Sequence, residues 1–183
     1  MSDKLFSPFP VLQTERLILR KLGLTDSYQV LRLRSDEKVC KFMERKTAKT
    51  IFDAYKYISI INRGIGINNW VLWGISQKQN DKLIGIICLW NMDFDTKSAE
   101  IGYELLPEYW SMGYMSECLS CIINYAFEKL NMQTINAITH NQNQKSILLL
   151  LKHGFYHVDS TKRETKSCES SFELKNNRHI SVY

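Results

Sequence analysis

The sequence has no long uninterrupted apolar run. Its densest apolar stretch, residues 147–151, is far shorter than the roughly 20 residues that a membrane-spanning helix requires. A secretory signal has an apolar stretch followed by small residues. The first residues of this sequence include Asp3 and Pro8 and do not show that pattern. These absences predict a cytoplasmic protein.

Cysteine and proline are also scarce. Five cysteines, irregularly spaced and odd in number, predict reduced thiols rather than a disulfide framework. Cys118 and Cys121 form a C-x-x-C pair, but neither they nor His140 and His153 have partners at metal-ligand spacing, so no metal site is expected. Two of the three prolines lie within the first ten residues, and no repeat or linker interrupts the chain. Residues 1–183 therefore predict a single domain with a core over about 11–175.

Charge is present but dispersed. The net charge of +5 suits an anionic ligand, a nucleic acid or an acidic protein surface, and it separates none of these. The tightest basic group, residues 41–49, is interrupted by Glu44. A nucleic-acid partner is not expected, because no Lys/Arg face with interleaved aromatic residues stands out.

The apolar periodicities predict an α/β (α+β) fold with a mixed, mostly antiparallel sheet of about seven strands and about four helices. The strands are predicted at 11–20, 70–76, 82–90, 98–106, 134–139, 155–159 and 168–174, and the helices at 25–34, from 47 or 50 to 63, 114–130 and 143–154. Because a helix joins the strands 98–106 and 134–139, these two should be parallel.

The junction between strand 98–106 and helix 114–130 is the first candidate for a binding site. A strand–loop–helix junction presents unpaired backbone N–H groups, and the helix dipole there favours negative charge. Gly113 can adopt a positive φ and let the backbone approach a ligand closely. The same pattern also fits a simple turn, so both interpretations stay open on this argument.

Three separated segments together carry a family resemblance. AEIGYEL followed by YWSMGYMSE, at 99–105 and 109–117, resembles the acetyl-CoA-binding motif of GNAT N-acetyltransferases. QTERLILR at 13–20 resembles the first strand of that superfamily, and NQKS at 143–146 with KHGF after it resembles its second cofactor-side helix. Within the superfamily the chain looks most like the RimJ/RimL-like group, the ribosomal-protein N-terminal acetyltransferase type.

This resemblance implies a fold and a co-substrate. Strands 98–106 and 134–139 should splay apart and hold the pantetheine arm of acetyl-CoA, bonded to backbone around Leu105 and Leu106, with Asn143 as a further contact. The pyrophosphate would be held by the amides of Ser111, Met112, Gly113, Tyr114, Met115 and Ser116. The implied reaction is direct attack of a primary amine, of a protein N-terminus or a small molecule, on the thioester. Relatives of this group are often dimers, so a homodimer is one expectation.

The resemblance also implies catalytic residues. Glu100 matches a strand glutamate that many members use as the base, directly or through water, and Glu104 on the same strand face is the reserve. Ser146 matches a serine that gives a proton or a hydrogen bond to the departing thiolate. Each has a plain structural alternative: Glu100 as a salt-bridged strand residue, and Ser146 with Asn143 as the start of a helix.

Two departures from the family pattern keep a second function open: Met115 replaces a small residue near the pyrophosphate, and Leu150 stands where many members carry a tyrosine acid. Trp110 also stands where many members have Arg or Gln, which is common in the RimJ/RimL-like group. The alternative is a catalytically idle CoA-binding or regulatory module on the same fold. The presence of Glu100 and Ser146 favours the enzyme.

Overall fold

The computed structural model describes residues 5–158 and 168–176. Within these ranges, eight strands form one sheet in the order β1-β2-β3-β4-β5-β6-β8-β7. They are β1 (Leu12–Gln13), β2 (Leu17–Arg20), β3 (Val71–Gln77), β4 (Leu83–Asp93), β5 (Ser98–Leu105), β6 (Thr134–His140), β7 (Tyr156–Val158) and β8 (Glu169–Lys175). The helices are α1 (Ser27–Ser35), α2 (Glu37–Cys40), α3 (Ile51–Gly66), α4 (Tyr114–Glu128) and α5 (Gln144–Lys152), and short 3-10 turns lie at Leu24–Asp26 and Pro107–Tyr109.

The predicted fold class is confirmed, and the described part of the chain contains one strand and one helix more than expected. The predicted strand 11–20 breaks at a turn, where Leu17 N–H donates to the Thr14 hydroxyl at 3.1 Å, so that β1 folds back on β2 with Leu12 opposite Leu19. The additional helix is α2. The Asp36 side chain caps α2 by accepting hydrogen bonds from the backbone amides of Lys38 and Val39. With only four residues, α2 is too short to show a helical apolar period in the sequence.

The predicted splay lies between β5 and β6. These strands are parallel and pair over only three positions, ending with Glu100 opposite Asn136. β5 continues to Leu105 and β6 to His140, so the sheet opens beyond that point. On its other side, β6 is paired with β8 along its whole length. This pairing holds β6, the strand on one side of the opening, in place.

Helices cover both faces of the sheet. One face packs on α4, whose predicted apolar stripe is buried, and includes Trp73 and Ile87 of the central strands. The other face packs on α1 and α3 through residues such as Leu33 and Ile58. Each fully buried aliphatic side chain of this kind contributes about 1.5–3 kcal/mol, so the two layers hold the sheet rigidly around the splay.

The cysteines, possible metal ligands and possible membrane-spanning helices were also subjects of the predictions from the sequence. All five cysteines are free, and burial raises the pKa of the Cys88 thiol to about 12. Within residues 5–158 and 168–176, no group of three or more potential metal ligands occurs. No helix in those same ranges is long and apolar enough to cross a membrane. The predicted strand 155–159 corresponds to β7, and its last residue, Asp159, lies outside the described residues.

Candidate active site

Two cavities meet at the splay. A groove of about 750 Å³ runs past the end of β5 and the first turns of α4 and α5; we call it the large groove. A cavity of about 270 Å³ lies on the other side, between α2, α3 and the sheet; we call it the small cavity. Tyr103, Glu104, Asn143 and Ser146 line both, so a group bound in one cavity can reach the other at these residues.

The first turn of α4 opens into the large groove. Gly113 is its N-cap residue with a φ of 80°, and no side chain caps the helix. The first intrahelical hydrogen bond runs from the Glu117 amide to the Gly113 carbonyl, so the amides of Tyr114, Met115 and Ser116 have no partner within the helix. Ser111 also has a positive φ, of 62°, which shapes the loop before the helix. Uncapped amides and the positive end of the helix dipole make this turn suitable for an anion.

The side chains around the large groove add positive charge. Among the described residues, one carboxylate, that of Glu104, and four lysines line the groove; the lysines are Lys38, Lys41, Lys145 and Lys152. The Lys145 ammonium lies 4.3 Å from the centre of the Trp110 ring, and the indole N–H of Trp110 donates to the Leu105 carbonyl at 2.7 Å. The Trp110 ring therefore holds the Lys145 ammonium beside the groove.

A network behind the loop holds it in place. The Arg16 guanidinium donates to the Glu117 carboxylate at 2.8 Å and to the Met112 carbonyl at 3.0 Å, and lies 4.4 Å above the Tyr114 ring. The Thr14 hydroxyl also donates to Glu117. Burial alone would raise the pKa of Glu117, but the hydrogen bonds from Thr14 and Arg16 outweigh it and lower that pKa. Arg16 thus links the loop before α4 to the Glu117 carboxylate.

Seven of the nine residues predicted to bind the co-substrate line the large groove: Leu105, Ser111, Gly113, Tyr114, Met115, Ser116 and Asn143. Leu106 does not, because its side chain is buried in the core beside α3 and its N–H donates to the Ile84 carbonyl at 2.9 Å. Met112 is exposed and contributes its carbonyl to Arg16. The Met115 side chain is buried in the core below α4, so its greater size is accommodated there.

Asn143 and Ser146 form the start of α5. The Asn143 side chain accepts a hydrogen bond from the Ser146 amide at 3.3 Å, which is the N-cap expected from the sequence. The Ser146 hydroxyl lies 2.8 Å from the phenol oxygen of Tyr103, and Leu150 one turn later is fully buried. Burial raises the pKa of Tyr103 to about 12, against a smaller opposite effect of the Ser146 hydrogen bond. Tyr103 was not among the predicted site residues.

An ion pair joins the loop after α2 to the point where the cavities meet. Both terminal nitrogens of Arg45 donate to the Glu104 carboxylate, at 2.5 and 2.8 Å, and the two side chains are only 18% and 11% exposed. Burial would lower the pKa of Arg45, but its hydrogen bonds to Glu104 outweigh burial and raise it. The partners are 59 positions apart, so no local pattern in the sequence could have paired them.

Glu100 lies away from this meeting point. It lines neither cavity and stands at the closed end of the splay, where the Asn91 amide donates to its carboxylate at 3.4 Å. Four residues along a strand correspond to about 13 Å, which is the approximate spacing between Glu100 and Glu104. The catalytic role of Glu100 stays a prediction, and the reserve candidate Glu104 is the carboxylate that both cavities share.

The small cavity has a mixed lining. Phe42 and Ile86 give it apolar surface, Asn143 and Ser146 are polar, and Glu104 is its only carboxylate among the described residues. The Phe42 ring packs on the imidazole of His140, with ring centres 5.1 Å apart, and this contact closes the side next to β6. The cavity therefore suits a small group that carries one polar end towards Glu104.

Comparison with known proteins gives a family match over most of the chain. The family model described as acetyltransferase (GNAT) domain matches residues 16–156. The uncharacterised N-acetyltransferase YoaA of Bacillus subtilis (strain 168) is 33% identical over 147 residues, which cover 80% of this chain and 83% of that protein.

Solved structures agree in fold. A putative ribosomal-protein-serine acetyltransferase from Vibrio cholerae superposes with a TM-score of 0.79 at 19% identity, over 92% of this chain and 99% of that one. A spermidine N-acetyltransferase from Vibrio cholerae, solved in complex with CoA and spermine, superposes with a TM-score of 0.76 at 18% identity, over 90% of this chain and 98% of that one. At these identities the likeness concerns the fold alone.

Proposed function

The chain belongs to the GNAT acetyltransferase family, and from this premise we propose that it transfers an acetyl group from acetyl-CoA to a small acceptor with a single primary amine, such as a protein N-terminal residue. The amine attacks the thioester directly while both substrates are bound. This acceptor class corresponds to the RimJ/RimL-like, ribosomal-protein type of the family.

The observation that carries this proposal is the meeting of the two cavities at Tyr103, Glu104, Asn143 and Ser146. Direct transfer requires the thioester carbon and the amine nitrogen to come within about 3–3.5 Å. A groove for one substrate and a cavity for the other, joined through the splay, allow that contact without a covalent enzyme intermediate.

Acetyl-CoA fits the large groove in shape and charge. The uncapped amides after Gly113 would accept the pyrophosphate, and the four groove lysines would offset its charge and that of the ribose phosphate. The splay between β5 and β6 would receive the pantetheine arm. The carbonyls of Leu105 and Leu106 already accept bonds from Trp110 and Tyr109, and each keeps a second lone pair for an amide of that arm.

The charges of the small cavity support this acceptor class. Glu104, the one carboxylate that lines it among the described residues, is already paired with Arg45, so the additional ammonium groups of a polyamine would find no counter-charge. Burying a charge without a partner is costly. A volume of about 270 Å³ lies below the roughly 300–1,000 Å³ of sites for drug-sized ligands. A terminal residue with one amine satisfies both limits.

An α-amine also makes the smallest demand on a base. With a pKa of about 7.7–8.0, about one α-amine in ten is neutral at pH 7, whereas a lysine-like amine with a pKa of about 10.4 is neutral about once in 2,500. We propose that Glu104 receives the amine proton as the carbon–nitrogen bond forms. Its carboxylate has acceptor sites beyond the two that Arg45 occupies. Glu100, acting through water, is the competing assignment.

The test is release of free CoA thiol from acetyl-CoA in the presence of matched amines. A peptide with a free N-terminal alanine, the same peptide with an acetylated N-terminus, and spermidine form the panel. We expect thiol release with the free peptide and background release with the other two. Preference for spermidine would refute the acceptor class. Tight binding of acetyl-CoA without turnover on any amine would favour the idle CoA-binding module instead.

A further inference from the structure

We propose that Tyr103 is a positioning residue for the departure of CoA. Its phenol donates a hydrogen bond to the Ser146 hydroxyl and thereby orients the serine O–H so that it donates a hydrogen bond to the thioester sulfur. This inference rests on the proposed function. It also accounts for the lack of a tyrosine at position 150 of α5, because the phenol of Tyr103 reaches α5 from β5.

The hydrogen bond lies where the sulfur has to be. Tyr103 projects from β5 and Ser146 from α5, and the 2.8 Å contact between their hydroxyl oxygens joins the strand at one side of the splay to the first turn of α5. Both residues line the large groove and the small cavity. An acetyl group that passes from one to the other has its carbonyl carbon and sulfur beside this pair.

The direction of the hydrogen bond follows from the chemistry of the two hydroxyls. A phenol, with an ordinary pKa of about 10, is far more acidic than an aliphatic hydroxyl and is the stronger donor. A serine hydroxyl has one proton and two lone pairs, so when its oxygen accepts from Tyr103 its own proton remains available. The Ser146 amide is already bonded to Asn143, which fixes the serine at the first turn of α5.

The pair acts as a hydrogen-bond donor and does not give up its proton. The carbon–nitrogen bond forms, the carbon–sulfur bond breaks, and the electron pair of the broken bond stays on sulfur. A thiol has an ordinary pKa of about 8.5, whereas burial raises the pKa of Tyr103 to about 12. Because the thiol is the stronger acid, a proton passed from Tyr103 to the CoA sulfur would return to the tyrosinate, so net proton transfer from Tyr103 is unfavourable. Ser146, oriented by Tyr103, stabilises the thiolate, which takes its proton from water after release.

The experiment measures the pKa of the CoA thiol in the complex and needs no acceptor amine. The thiolate of bound CoA is followed by its ultraviolet absorbance across a pH series, as the difference from the same protein without CoA. A charge-assisted hydrogen bond to the thiolate should place the pKa of bound CoA about one unit below that of free CoA. Tyr103→Phe and Ser146→Ala should each return it to nearly the free value.

The matched control is Tyr125→Phe, which removes another partly buried phenol that packs on Trp73 and lines neither cavity. It should leave the lowered pKa unchanged. An unshifted thiol in the wild-type complex, or a shift that survives Tyr103→Phe, would overturn the inference. Calorimetric titration with CoA separates these outcomes from failure of the proposed function. Without CoA binding the proposed function itself is wrong. With binding but no shift, the hydrogen bond from Ser146 and its orientation by Tyr103 are wrong, and the proposed function stands.

Discussion

The large groove and the small cavity are built in different ways. The groove depends on backbone: a glycine with positive φ, uncapped amides at the start of α4, and the three-position pairing that opens the splay. The cavity depends on side chains that come from the loop after α2, from α3 and from the sheet. Its key pair, Arg45 and Glu104, is 59 positions apart in sequence.

This difference matches what each site has to recognise. A phosphate ligand that is common to a whole family can be held by amides, which every residue supplies, once a glycine permits the turn. An acceptor that differs between relatives has to be selected by side chains. We therefore expect substitutions at the groove to change acetyl-CoA affinity, and substitutions at the cavity to change turnover or acceptor affinity.

The largest expected effect separates the two carboxylates of β5. Glu104→Gln should lower kcat by about 100-fold, because general-base catalysis contributes at least that much, while the dissociation constant for acetyl-CoA stays close to wild type. Glu100→Gln is the matched change on the same strand face and should retain most of the turnover. Steady-state kinetics with the alanine peptide, alongside calorimetric titration of acetyl-CoA, measure both. The reverse ranking would restore Glu100 as the base.

The next effect belongs to the groove. Gly113→Ala forces an L-residue into the left-handed region, at a cost of about 1–2 kcal/mol, and its Cβ would lie 3.4 Å from the Arg16 guanidinium. We expect the loop to shift and the dissociation constant for acetyl-CoA to rise about tenfold, with kcat at saturation little changed.

Gly154→Ala is the control for this prediction. Gly154 has a nearly identical φ of 82° and its Cβ would meet only Leu174, at 3.5 Å, outside the groove. It should lower the melting temperature about as much as Gly113→Ala and leave acetyl-CoA affinity unchanged. Equal losses of affinity in both variants would mean that general strain, and not the loop geometry, controls binding.

A smaller effect is expected at the wall of the small cavity. Tyr57 lines this cavity and not the groove, and its ring packs under the Arg34 guanidinium at 3.8 Å. Tyr57→Leu should raise KM for the acceptor peptide roughly fivefold through lost apolar contact, without changing the dissociation constant for acetyl-CoA. A change confined to acetyl-CoA binding would contradict the division between the two sites.

The smallest effect concerns how the stability of the protein depends on pH, through a histidine beside the groove. His153 lies 2.8 Å from the Ser116 hydroxyl, and burial, aided by Lys152, lowers its pKa. The unfolded chain, with a histidine pKa of about 6.5, therefore binds the proton first, so this contribution to stability is present above about pH 6.5 and is lost as the pH falls. Melting temperatures at about pH 7.5 and 5.5 should differ less in His153→Gln than in wild type. An equal difference in both proteins would exclude His153 as the source.

The same contrast explains what the sequence could predict. Elements with a clear period, such as α4 and the central strands, lie where the pattern places them, and Gly113, Asn143 and Ser146 are identifiable because each acts within its own turn. Tyr103 on Ser146 and Arg45 on Glu104 depend on the packing of distant segments. Glu100 and Glu104 share a strand face, so only the position of the splay distinguishes their access to the cavities.

The most direct measurement of the central claim is a thermal unfolding scan with acetyl-CoA, and with ATP as an anionic control. Ligand at about 100 times its dissociation constant adds about 2.7 kcal/mol of stability, which for a domain of this size raises the melting temperature by about 5–10 °C. The account predicts this rise with acetyl-CoA and no comparable rise with ATP. No rise at millimolar acetyl-CoA, or an equal rise with both ligands, would contradict the assignment of the large groove to acetyl-CoA.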